Sequence, residues 1–282
     1  MWSNLDFAKP VGFGYSRCGV APWCRFLNQV MMHLPKNCCV QDLSGENPIS
    51  NTQNRTASMD TQNFPPLETD LALPYRLVPS RGKASGVLVL MHGVGSNELS
   101  MAGLATLAPD DLAVALVRSP IALGQSSFCA FRVEFTAHGP VIDAVEAESS
   151  RLLLSEFITQ LQRKLGIAPA RTLVAGFSQG GIMAAGLALT RPDLVAGFAI
   201  MSGRILREIE PMLASRPELA RLKALIAHGE FDDRLPVSFA QQSEAWLAEL
   251  GVPFESRRYR AGHQVTQEIA EDFFIWVRLQ VS

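Results

Sequence analysis

No apolar run in the 282-residue chain approaches the roughly 18–20 residues that a bilayer-spanning helix needs, so stable membrane insertion is not expected. A basic excess is also missing. The 25 Lys and Arg residues are outnumbered by 27 Asp and Glu, leaving a formal charge of −2, which argues against nucleic acid as a partner. The chain does not open with a basic segment followed by a continuous apolar one, so no secretory signal is read and a cytoplasmic protein is expected. Cysteine is scarce and badly spaced for metal: Cys18, Cys24, Cys38 and Cys39 form no C-x-x-C pair, and His33 is the only imidazole near them. An odd total of five, with Cys129 alone further on, speaks against a disulfide framework. Reduced thiols and no metal are the expectation.

What is present divides near residue 66. Before it, Pro10, Pro22, Pro35 and Pro48 interrupt short apolar patches, and residues 41–66 are rich in Asn, Gln, Ser, Thr and Pro. Such a segment buries too little apolar surface to offset chain entropy, so residues 1–66 read as a poorly structured extension and linker. Residues 67–282 read as one catalytic domain. There, apolar strand-like runs (Leu73–Pro79, Val87–Met91, Leu112–Val117, Thr172–Ala175, Val195–Met201, Leu222–Ala227 and Phe254–Tyr259) alternate with helical stretches. The helices are expected from Ser96 or Asn97 to about Ala108, over Ile142–Leu165, and over residues 179–190, 237–250 and 264–280. This rhythm implies an α/β fold: a mostly parallel, doubly wound sheet of about seven strands with helices on both faces. Reactive groups then belong at the carboxyl ends of the strands.

The most informative words are Leu173-Val174-Ala175-Gly176-Phe177-Ser178-Gln179-Gly180-Gly181, a G-x-S-x-G between an apolar strand and a small-residue helix. A serine forced into a sharp strand-to-helix turn presents its hydroxyl at the positive end of the helix, and flanking glycines let strand and helix converge. Ser178 is the expected nucleophile.

A serine hydroxyl needs an imidazole to take its proton and a carboxylate to stabilise the imidazolium. In this fold the chain order is Ser, acid, His. Downstream of Ser178 stand only His228 and His263; His228 precedes the acids Glu230, Asp232 and Asp233, so His263 is the expected base. The oxyanion needs pre-aimed N–H groups. One is expected from Gln179, the residue after the nucleophile, and one from Val94 in the turn His92-Gly93-Val94-Gly95. His92 reads as structural, and no G-K-[ST] supports a phosphate loop there.

With these residues in hand, residues 67–282 resemble the phospholipase/carboxylesterase family of α/β-hydrolases, which includes acyl-protein thioesterases and small bacterial carboxylesterases. The matching words are His92-Gly93-Val94-Gly95-Ser96-Asn97-Glu98, Gly176-Phe177-Ser178-Gln179-Gly180-Gly181, His228-Gly229-Glu230-Phe231-Asp232 with Pro236, and Gly262-His263. The resemblance implies that Asp232, the fourth residue after His228, is the acid. It also implies no organic cofactor and no metal, and it allows a homodimer. A departure falls at Ser127-Phe128-Cys129-Ala130-Phe131, where many relatives carry a tryptophan-containing loop and Ala130 stands instead.

The expected activity is hydrolysis of a carboxylic ester, acyl thioester or lysophospholipid through an acyl-enzyme on Ser178. Met101, Phe128, Phe131, Phe135 and Leu235 are candidates for the apolar wall around the acyl group. A fold kept only to bind a small ligand, and a peptidase or lactonase on the same scaffold, are the alternatives.

Overall fold

The computed structural model describes residues 64–136 and 139–281, all within the unit Ala57–Ser282. The expected extension, with four of the five cysteines, lies outside the described residues except for residues 64–66. In chain order the strands are β1 (Tyr75–Val78), β2 (Gly86–Met91), β3 (Leu112–Val117), β4 (Ile121–Gly124), β5 (Ser127–Cys129), β6 (Val133–Thr136), β7 (Gly139–Ile142), β8 (Thr172–Phe177), β9 (Gly197–Met201), β10 (Lys223–Gly229) and β11 (Phe254–Tyr259). The helices are α1 (Ala102–Ala105), α2 (Ala144–Leu165), α3 (Gln179–Thr190), α4 (Arg216–Leu219), α5 (Ser238–Leu250) and α6 (Gln267–Val281).

Seven strands form one sheet in the order β1-β3-β2-β8-β9-β10-β11, with β1 antiparallel and all other neighbours parallel. The continuous apolar runs of β2, β3 and β9 are buried along their whole length because both faces of the sheet are covered. Alternate residues serve the two layers. Val87 and Val89 share one core layer with Leu154 and Phe157 of α2, Leu187 of α3 and Trp246 of α5; Leu88 and Leu90 share the other with Leu104 of α1 and with Phe273 and Trp276 of α6.

Three helix boundaries differ from the sequence reading. The stretch after Asn97 is a 3₁₀ turn over Glu98–Met101 followed by a single α-turn, not a helix reaching Ala108. Asn97 does cap it, accepting from Leu99 N–H. The long helix starts at Ala144, because Asp143 Oδ1 accepts from the N–H groups of Val145 and Glu146 and ends the extended chain there. Ile142 is thereby left in β7. The closing helix begins at Gln267, behind Thr266, whose Oγ1 accepts from Ile269 N–H.

Two small strand pairs, β4–β5 and β6–β7, lie within residues 121–142, where the sequence pattern assigned only Ile142, to the long helix. Their strands are three or four residues long, too short for a periodicity to be read.

Candidate active site

Ser178 links β8 to α3 with φ 53° and ψ −117°, a backbone that non-glycine residues adopt only under constraint. The constraint is the close convergence of strand and helix. A Cβ on Gly176 would lie 2.3 Å from the carbonyl carbon of Gly180, so only glycine fits. The sharp turn aims Ser178 Oγ out of the sheet's carboxyl edge, above the first turn of α3.

His263, in the loop after β11, meets it there. His263 Nε2 lies 3.0 Å from Ser178 Oγ, and His263 Nδ1 lies 2.7 Å from Asp232 Oδ2. The Phe177 ring packs against the imidazole at 4.8 Å between centroids, fixing the ring plane. Asp232 follows β10 and is buried; its Oδ1 accepts from the N–H groups of Arg234 and Leu235 at 3.0 and 2.8 Å. These bonds occupy Oδ1 and leave Oδ2 for the imidazole. Asp233 and Glu230, the other acids of the loop, are exposed.

The two remaining histidines of the described domain core are held neutral by burial, which pushes both below the usual imidazole value of 6.5. His92 Nδ1–H donates to Gly93 O, and its Nε2 accepts from Ser119 N–H. His228 Nε2–H donates to Leu235 O, 2.8 Å away, and its nitrogen lies 3.5 Å from Asp232 Oδ2. His228 therefore braces the loop that carries the acid. Cys129 is buried in β5, and burial pushes its thiol pKa up, which makes it a poor nucleophile.

A cleft of about 230 Å³ opens in front of Ser178. Gly93, Val94 and Gln179 line it beside the serine and histidine. Gln179 is the first residue of α3, so its N–H has no partner within the helix. Val94 N–H has no acceptor among the described residues. Both residues therefore border the cleft beside Ser178 with backbone amides that have no acceptor among the described residues.

Of the expected acyl wall, Phe131 and Leu235 line the cleft. Met101 and Phe128 do not. Met101 is buried in the layer of α1 and α6, on the face of the sheet away from α3. Phe128 is tied to the first glycine turn by its backbone (Phe128 N–H to Ser96 O, Gly95 N–H to Phe128 O), and its ring lies under the Arg118 guanidinium. The Phe135 side chain lies outside the described residues. Instead, Val133, Pro140 and Ile142 of the β6–β7 hairpin, Ile182 of α3, and the two arginines Arg204 and Arg234 complete the lining. Residues on a hairpin too short to recognise, and residues contributed from distant chain positions, leave no local sequence signal.

One role escaped sequence reasoning although its residue did not. The Gln179 side chain accepts from Ala130 N–H and donates to Phe131 O, both at 2.7 Å. It fastens the loop that departs from the family pattern directly to the elbow through side chain–backbone bonds.

No group of three or more His, Cys, Asp or Glu side chains suited to a metal occurs among the described residues. No helix there is long and apolar enough to cross a membrane.

The phospholipase/carboxylesterase family model matches residues 133–277, a span that contains Ser178, Asp232 and His263. The chain is 26% identical over 203 residues to the putative hydrolase MhqD of Bacillus subtilis, covering 70% of this chain and 95% of the relative. It is 29% identical over 197 residues to esterase YpfH of Escherichia coli, covering 67% and 75%. Acyl-protein thioesterase 1 of Emericella nidulans is 26% identical over 211 residues, covering 65% and 85%. Among solved structures, a carboxylesterase from Mesorhizobium loti superposes with a TM-score of 0.66 at 22% identity, over 76% of this chain and 98% of that one.

Proposed function

The chain belongs to the phospholipase/carboxylesterase family, and on that premise we propose that Ser178, His263 and Asp232 act as its catalytic triad. The protein is an α/β-hydrolase that acts on carboxylic esters, and esters or thioesters fit the family's chemistry. One observation carries the assignment of roles: the unbroken line from Ser178 Oγ through His263 to the buried, amide-held Asp232.

His263 Nε2 takes the Ser178 proton as Oγ attacks the acyl carbonyl. The carbonyl oxygen gathers negative charge beside the amides of Val94 and Gln179, at the positive end of α3. Asp232 stabilises the imidazolium, which protonates the departing alcohol or thiol and leaves an acyl-serine. Water, deprotonated by the same imidazole, then releases the acid. Residues 67–282 supply all of this chemistry in the reading, and residues 1–66 none of it.

The cleft is smaller than the about 300–1,000 Å³ typical of sites for drug-sized ligands, which supports a small acyl group. Hydrolysis of p-nitrophenyl acetate, butyrate and octanoate by the wild type and Ser178→Ala tests the reading. A loss of at least about 10³-fold in the variant is expected. A folded wild type that turned over no ester or thioester and took up no fluorophosphonate would leave the cleft a binding site only.

A further inference from the structure

Six arginines of the described residues are not exposed: Arg76, Arg118, Arg151, Arg204, Arg257 and Arg258. Five sit on carboxylates. Arg76 and Arg118 share Glu98, Arg151 meets Glu148, Arg257 meets Glu255 and Asp272, and Arg258 meets Glu244. Arg204 has no carboxylate within ion-pair distance among the described residues, and its Nε is buried without any hydrogen-bond partner. A half-buried guanidinium left unpaired is costly, because desolvation is not offset by an opposite charge.

Arg204 lines the same cleft as Ser178 and His263. Its guanidinium carbon stands 5.0 Å from the centre of the Phe239 ring, which lines a second hollow rather than the cleft, so Arg204 borders both. Burial lowers its pKa and only the more distant charge of Glu208 counters this; an arginine nonetheless stays protonated at neutral pH.

The backbone that delivers Arg204 is itself strained. Ser178 and Ser202 are the two non-glycine residues with positive φ among the described residues. They are neighbours across the sheet edge, where Ser178 N–H donates to Met201 O. Ser202, buried with φ 49°, turns the chain sharply at the end of β9. Gly203 then backs onto the elbow, where a Cβ would come within 2.9 Å of Ser178 O, and Arg204, one of the residues lining the cleft, follows it. Strain of this kind persists where surrounding structure enforces it, characteristically at functional sites. Arg234, exposed and also without a side-chain partner among the described residues, adds a second positive charge to the lining.

We propose that Arg204 is a specificity-determining residue that recognises an anionic group, a carboxylate or a phosphate, carried by the ester or thioester that Ser178 attacks. The inference rests on the proposed function. A guanidinium presents a planar fork of donors that matches either oxyanion, and the missing partner is then supplied by the substrate. The otherwise apolar walls formed by Phe131, Val133, Ile142 and Ile182 strengthen that contact by excluding water.

The test measures kcat and KM for matched charged and neutral esters with the wild type, Arg204→Gln and Arg204→Lys. One arm carries the charge on the acyl side, comparing mono-p-nitrophenyl glutarate with p-nitrophenyl valerate. The other carries it on the leaving group, comparing the butyrate ester of 3-hydroxybenzoate with that of its methyl ester. In one arm the wild type is expected to favour the anion. Arg204→Gln should lose about 10–100-fold in kcat/KM on that anion, mainly through KM, while the neutral ester changes by less than about threefold. Arg204→Lys should recover part of the loss. Neutral esters cleaved by the wild type with no preference for either anion, or a preference that survives in Arg204→Gln, would overturn the proposal and leave the triad untouched. Failure to cleave any ester would instead strike the proposed function.

Discussion

Two carboxylates are completely buried in loops at the same edge of the sheet, and they are compensated in opposite ways. Glu98, after β2, receives two guanidiniums: Arg76 Nε at 2.8 Å and Arg118 Nε at 2.7 Å, with a further bond from Arg118. Asp232, after β10, receives two backbone amides and one imidazole. Arginine cannot give up its proton at any ordinary pH, so the Glu98 charge is compensated permanently and the cluster can only hold structure. Arg76 also donates to Pro65 O, tying the start of the described chain to that cluster. An imidazole changes charge within a reaction cycle, so in the proposed triad the Asp232 cluster responds to proton transfer at Ser178. Burial of a charge is common to both; only the partner's ability to titrate distinguishes scaffold from chemistry.

Exchanging each acid for its amide separates the two clusters. Asp232→Asn is expected to cut kcat on p-nitrophenyl butyrate by about 10⁴-fold, since an amide cannot stabilise the imidazolium. Its unfolding midpoint in urea should move little, because Asn Oδ1 still accepts from Arg234 and Leu235 N–H. Glu98→Gln should do the reverse, lowering unfolding free energy by about 3–5 kcal/mol through two stranded guanidiniums. An activity loss in folded Glu98→Gln comparable to that of Asp232→Asn would erase the distinction.

Acidification sharpens it next. His92 and His228 are both held below 6.5 by burial, so between pH 6.5 and their folded values the unfolded chain binds more protons than the native one. Stability is therefore full above pH 6.5 and falls as the pH drops below it, by up to about 1.4 kcal/mol per pH unit for each histidine. Urea titrations from pH 7.5 to 5.5 measure the slope, and His228→Asn should flatten it; a slope unchanged in the variant would contradict the burial argument. The smallest effect is expected for Asp233→Asn, which should alter kcat/KM by less than about twofold, because Asp233 is exposed and touches neither His263 nor the cleft.

How legible all this was from the sequence depended on how locally each feature is determined. Strand β2, buried on both faces, is a continuous apolar run and declares itself, as does the elbow, where Gly176 and Gly180 are required by a contact four residues long. The hairpin residues Pro140 and Ile142 gave no such sign, and Ile142 was read as the first residue of a helix because its apolar spacing continues that of α2. Met101 and Phe128 are candidates for the acyl wall as apolar residues; packing sends one to the opposite layer and ties the other down by backbone bonds.

By itself, then, the sequence determined the α/β alternation, the serine elbow, and the family to which residues 133–277 match, since each rests on short-range sterics and hydrophobic period. Among three neighbouring acids only the family resemblance pointed to Asp232, and the tertiary structure alone decided which apolar side chains reach the cleft and that Arg204 shares it with the serine without a counter-ion. Those are matters of which distant groups meet and which charges go unanswered, and no stretch of chain carries that information until the sheet has brought β8, β9, β10 and β11 to a common edge.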